Sequence, residues 1–342
     1  MKQLLFLTLV WSSLCVNAQE VFFKSAQTFK ESQLQNFYSA LSIHDSLVIF
    51  NANDYQLYTY NKNNGQLLWS YNLDRKTNGQ LFISGGYIWT NTTDKKGIRL
   101  GLDGKDPKQL PFSIFSKPFL KNGKAYLTGL YDAGNMIAYD IKADSVAWYV
   151  FVAHGCNTEP YYLQDRMYAN AEGNNWLEIN YSGKIRSGCN ETEKDDQDRC
   201  AERFMLQTHD GKKLLEKAAK SLKLDEDTRP QQLNTMNRTF LLYEGGFIML
   251  GDKLKVVYQS ALTEKFPDLE EDEDPILLKA TDTEAWLLYS QQLVRFDVKK
   301  KSFSIVQDLS QWNPHTVVLD DNRIWLVSKN DGLLYGIERK TL

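Results

Sequence analysis

A histidine, a cysteine and a glutamate fall together in His154-Gly155-Cys156-Asn157-Thr158-Glu159. An imidazole beside a carboxylate can move protons, and a thiolate adds a nucleophile or a soft metal ligand, so this stretch is the first candidate for catalysis. Cys189, Cys200 and His209 have zinc-ligand chemistry with Cys156 as a fourth donor, but their spacing is loose. Cys189 and Cys200 also bracket a short acidic loop, and in an exported chain a disulfide between them, with Cys156 left over, is the expected product. Pairing of Cys156 with either of the others is the open alternative. Trp312, in Gln311-Trp312-Asn313-Pro314-His315, precedes a strand and is the candidate for stacking on a flat ligand such as a sugar.

Against each chemical reading stands a structural one. A single His-x-Cys pair in an exported chain fits a structured loop as well as a site, so no catalytic residue is assigned, and no metal or cofactor is expected. Asp195, Asp196 and Asp198 lack the spacing of a dedicated calcium loop. Glu270-Glu271-Asp272-Glu273-Asp274 reads as solvated charge on a connection. The chain has no phosphate-cradling glycine loop, no nucleophile elbow and no sialidase-type box. Asn91, Asn190 and Asn237 open Asn-x-Thr sequons, which matter only in a source that glycosylates them.

The 342 residues carry 40 Lys+Arg against 43 Asp+Glu, a formal charge of −3, so no general attraction to nucleic acid is expected. With 42% hydrophobic and 13% aromatic residues the chain has material for a large core, which excludes wholesale disorder. Met1-Lys2, the apolar run Leu4 to Trp11 and the small-residue pattern Val16-Asn17-Ala18 read as a signal peptide over residues 1–18. Cys15 follows Leu14, with Ser12 three places before, which is not the pattern of a lipidated first residue. The expected mature chain, 19–342, is secreted or periplasmic, with no membrane span.

What must position these residues is a repeat. Leu47-Val48-Ile49-Phe50, Gln56-Leu57-Tyr58-Thr59-Tyr60 and Leu67-Leu68-Trp69 form three strands separated by Asn/Asp-rich turns. An Asx residue closes the third strand of each sheet, placed to accept hydrogen bonds from amides two residues on. Its copies Asn61, Asp103, Asp140, Asn180 and Asp297, with Glu338 standing in, recur at about forty residues, the period of a four-stranded propeller blade. Second strands are expected near Leu47, Tyr87, Ala125, Met167, Thr239, Trp286 and Ile324.

The long gap after Asn180 holds two repeats and an insertion at 187–229, in which Leu214, Leu215, Ala218 and Leu222 have helical spacing. The last repeat runs out of chain, so Glu20-Val21-Phe22-Phe23-Lys24 is expected to supply its missing outer strand and close the ring. The expectation is all-β: a seven-bladed β-propeller with a short helical insertion.

The repeat resembles the quinoprotein, or PQQ-like, propeller repeat, with core Ala-x-Asp-x-x-x-Gly-x-x-x-Trp. Ala138, Asp140 and Trp148 match, with Asp144 in the Gly place; Gly65 and Trp69 match, with Thr59 and Asn61 for Ala and Asp; the sixth repeat keeps only Asp297. The resemblance implies the propeller fold, with the Trp wedged against the neighbouring blade. The adjacent cysteines of the quinone-dependent dehydrogenases of that superfamily do not occur here, so the resemblance points to its non-catalytic branch.

The expected function is an exported non-catalytic propeller that binds a protein or glycan partner on one face, as an interaction or scaffold module of the cell envelope or secretome. The alternative is an extracytoplasmic enzyme or small-molecule binder with its site at the central funnel, using His154, Cys156 and Glu159.

Overall fold

The computed structural model describes residues 20–26, 40–51, 56–73, 77–92, 96–153, 160–162, 164–171, 175–190, 231–235, 237–243, 245–251, 255–270 and 275–340. Residues 1–18, read from the sequence as a signal peptide, residues 154–159 and residues 191–230 lie outside them. Within the described residues the fold is all-β and propeller-like, built as antiparallel sheets that follow one another along the chain.

The first sheet comprises Ala40–His44, Leu47–Asn51, Gln56–Asn61 and Leu67–Asn72. The second comprises Thr77–Ser84, Tyr87–Thr92, Gly97–Gly101 and Lys108–Gln109. In the third, Ser113–Ile114 and Phe119–Lys121 share the inner place beside Lys124–Leu130, Gly134–Asp140 and Ser145–Ala153.

The fourth contains Tyr161–Tyr162, Arg166–Ala171, Asn175–Asn180 and Ile185–Asn190, and the fifth Gln231–Asn234, Thr239–Tyr243, Gly246–Leu250 and Val256–Ala261. The sixth contains Ile276–Ala280, Glu284–Tyr289, Gln292–Asp297 and Ser302–Asp308, and the seventh Pro314–Leu319, Arg323–Ser328 and Leu334–Glu338. Second strands start within two residues of the positions expected from the sequence.

Local chemistry sets the turns. Asn122-Gly123 and Ser290-Gln291 have positive φ at both residues, the backbone that a two-residue hairpin of the primed type needs. The Asx markers act as expected. Asn61 Oδ1 accepts from the Asn63 amide at 2.8 Å, Asp103 from Lys105 at 3.1 Å, Asn180 from Ser182 at 3.1 Å and Asp297 from Lys300 at 2.8 Å. Asp140 takes the amides of Lys142 and Ala143, and the Ala143 amide, helped by Lys124, holds its carboxyl below the usual range.

The middle strands are buried on both faces, as in Gly134–Asp140 and Gly246–Leu250, so each sheet needs a neighbour on either side. Apolar clusters supply one at six junctions among the described residues. Ile49 and Leu57 meet Ile88 and Leu100 between the first and second sheets, Trp89 meets Leu127 and Tyr139 between second and third, and Met136 and Ala138 meet Met167 and Ile179 between third and fourth. Phe247 meets Phe296 between fifth and sixth, Trp286 and Leu293 meet Ile324 and Leu326 between sixth and seventh, and Trp325 and Val327 meet Val48 and Phe50 between seventh and first.

The strand Val21–Lys24 lies on the edge of the seventh sheet, with Val21 opposite Ile337, Phe23 opposite Gly336 and Lys24 opposite Tyr335. Phe23 sits 5.2 Å from the Tyr60 ring and 5.4 Å from Trp325, and its ring covers Gly65 of the first sheet. Across the same junction Arg323 donates to the carbonyls of Lys62 at 2.7 Å and Asn63 at 3.3 Å, and Lys62 pairs with Asp320 at 3.0 Å.

The repeat's Trp and Gly have a packing cause. Trp69 donates to the Leu102 carbonyl at 3.1 Å and Trp148 to the Tyr181 carbonyl at 3.2 Å, each reaching the next sheet. The rings lie flat on Gly104 (φ 76°) and Gly183 (φ 85°), where an added Cβ would come 2.7 Å from the indole.

Side-chain amides also cross between sheets by imitating a backbone strand. Asn91 donates to the Ile114 carbonyl at 2.6 Å and accepts its amide at 2.8 Å; Gln231 does the same with Pro275 O at 2.6 Å and Leu277 N at 2.8 Å. Because the Asn91 amide is fully buried and engaged, its sequon is closed in the folded chain.

Candidate interaction surface

In the strand Ser145–Ala153, residues alternate between two environments. Trp148, Val150 and Val152 face inward, packed against the fourth sheet around Met167 and Ile179, whereas Val146, on the other side of a bulge, packs with the cluster between the second and third sheets. Ala147, Tyr149 and Phe151 point the other way, and Tyr149 and Phe151 are each 46% exposed. Tyr131, in the turn between Lys124–Leu130 and Gly134–Asp140, is 41% exposed and lies 5.0 Å from the Tyr149 ring.

Three aromatic side chains thus stand out on one rim. A polar outer face is normal for a strand packed on one side only, and rings there leave apolar area with a phenol at its margin, the composition of interface anchors. Other outer strands expose aliphatic residues instead: Leu67 and Leu68 on the first sheet, Ile185 on the fourth and Ile305 on the sixth.

The residues singled out by their chemistry fall mostly beyond view. His154, Cys156 and Glu159 are outside the described residues, although their stretch leaves from Ala153, the end of the strand that carries Tyr149 and Phe151. Cys200 is also outside them. Cys189 is placed by its backbone alone, opposite Trp176 within Ile185–Asn190. That strand runs through Ser187 and Gly188, at the position where the sequence reading begins the insertion.

Trp312 is 6% exposed. It closes a short 3-10 turn, Ser310–Trp312, and its ring packs with Leu309, Leu293 and Tyr335. It is one of a series of plugs on the connections between sheets, with Leu73, Leu110 and Phe112, and with Leu262 and Phe266 around the short helix Leu262–Lys265. Its ring faces are taken by the core, which gives it a packing role in place of the expected stacking on a ligand.

Among the described residues no group of three or more His, Cys, Asp and Glu side chains is placed to hold a metal ion. None of their helices is long and apolar enough to cross a membrane.

No protein-family model and no curated protein matches the sequence. Among solved structures, the crystal structure of BamB from Moraxella catarrhalis is similar, with a TM-score of 0.45 and 11% identity over 89% of this chain and 83% of that one. At that distance nothing of BamB's role is carried over to this chain.

Tyr131, Tyr149 and Phe151 were not anticipated from sequence. The signal was available in Ala147-Trp148-Tyr149-Val150-Phe151, an outer strand with large apolar residues on both of its faces where one face should be polar.

Proposed function

We propose that the chain is an exported, non-catalytic propeller of seven blades, closed into a ring by Val21–Lys24, that works as a protein-interaction module of the cell envelope or secretome. Residues 1–18 are the leader in this reading, and Cys189 pairs with Cys200. The partner docks on the rim of the third sheet. The observation that carries the reading is the outward display of Tyr131, Tyr149 and Phe151 on a rim whose inward face is already satisfied by packing. Buried aromatic anchors dominate most protein interfaces, and exposed clusters of them mark where such burial occurs.

The test replaces both Tyr149 and Phe151 with Asp in the full chain. Because both side chains are about half exposed, the thermal midpoint should stay where it is, while partner capture from the native envelope should fall by about tenfold or more. The matched control, Leu67→Asp with Leu68→Asp on the equally exposed rim of the first sheet, should capture normally. Undiminished capture by the Tyr149/Phe151 variant would remove this rim from the account.

A further inference from the structure

The edge of Leu334–Glu338 reads the N-terminal segment residue by residue. Main-chain bonds fix its two ends: the Glu338 amide donates to the Glu20 carbonyl at 3.0 Å, the Ser25 amide to the Leu334 carbonyl at 2.9 Å, and the Leu334 amide to Ser25 Oγ at 3.0 Å. Between them each side chain has its own place. Phe22 stands edge-on to Trp325 at 5.2 Å, with the Arg323 guanidinium 3.9 Å from its ring, while Phe23 lies between Tyr60 and Trp325 on Gly65. Both depend on Gly336, where an added Cβ would come 2.5 Å from the Phe22 ring and 3.2 Å from the Phe23 Cβ. Lys24 Nζ is 3.7 Å from the Asp331 carboxylate and 5.3 Å from the centre of the Tyr335 ring.

The walls of these slots are held by residues that do not belong to the segment. Arg323 is tied to Glu338 at 3.1 Å and to the Lys62 carbonyl at 2.7 Å, and Trp325 is fully buried in a cluster with Val48 and Phe50. A site whose walls are already fixed binds an extended segment at little ordering cost.

We propose that this edge is a peptide-binding site of the strand-addition kind, specific for two adjacent aromatic residues followed by a lysine, and that it takes residues 20–25 in trans from a second copy of this chain as well as from its own. Main-chain hydrogen bonds supply affinity in such sites, and side-chain pockets supply specificity. The resident strand is short, four residues with a bulge between Val21 and Phe23, so it can be displaced. The site lies on the seventh sheet, apart from the aromatic rim of the third, and is tested separately from it.

The test uses the full chain with its own segment weakened in either of two ways: Phe23→Ala, which empties a slot, or Lys24→Glu, which sets like charges against Asp331 at a half-exposed position. A free peptide of residues 19–26 stands in for the segment of a second copy. In large excess it should raise the thermal midpoint of either variant by on the order of 1–2 °C, because a ligand that binds only the folded state stabilises it. The unaltered chain should gain much less, since its tethered segment already acts at an effective concentration on the order of millimolar. A peptide with alanine at both phenylalanine positions should have no effect. No gain in either variant, or a gain as large with the alanine peptide or in the unaltered chain, would overturn the proposal.

Discussion

Replacing Phe23 by alanine is expected to destabilise the whole chain by about 2–3 kcal/mol, somewhat below the usual loss for a phenylalanine because the ring is half-buried. The ring joins Tyr60, Trp325 and Gly65, so it belongs to the seventh and first sheets together. Its strand is only four residues long and is bulged between Val21 and Phe23, so the backbone pairing alone holds it weakly. Urea unfolding followed by fluorescence should show one cooperative transition at a lower midpoint. If Phe23→Ala left the midpoint in place, the first and last sheets would not depend on the N-terminal strand.

A loss of similar or greater size should follow Asn91→Ala. That side chain is fully buried and serves both the N–H and the C=O of Ile114, so its removal strands two backbone groups at about 1–3 kcal/mol each. Asn91→Asp should not rescue it near neutral pH. A carboxylate would still accept the Ile114 amide, but its second oxygen would face the Ile114 carbonyl in a fully buried position. Equilibrium unfolding of the two variants is the check, and an aspartate variant as stable as the original would contradict the clamp.

Much of the architecture was written in short-range chemistry. The Asx turn closing five of the third strands depends on a side chain meeting amides two or three residues away, so Asn61, Asp103, Asp140, Asn180 and Asp297 were readable without knowing any tertiary contact. The doubly buried second and third strands were readable for a similar reason, since a short continuous apolar run between turn residues is what a strand covered on both faces requires. The outer strands were less so. Ser187 and Gly188 resemble a loop because an outer strand has little apolar surface to bury, yet they pair with Glu178 and Leu177.

The candidate surface was harder to read. Trp312, beside Asn313 and Pro314, has the sequence context of an exposed turn, and only the approach of Leu293 and Tyr335 from other strands buries it. Tyr149 and Phe151 have the opposite history. As aromatic residues in a strand they pass for core, and it is the saturation of the inward face by Trp148 and Val150 that turns them outward. Residue type could not separate the two cases, because each is decided by what the neighbouring sheet has already filled.

The central claim is that the aromatic rim of the third sheet is where this chain meets its partner. A photo-activatable side chain placed at Tyr149, and in a second sample at Leu68, would test it in the intact cell. The account predicts a discrete higher-mass adduct from position 149 and none from position 68. Adducts at both positions alike, or at 68 alone, would contradict it.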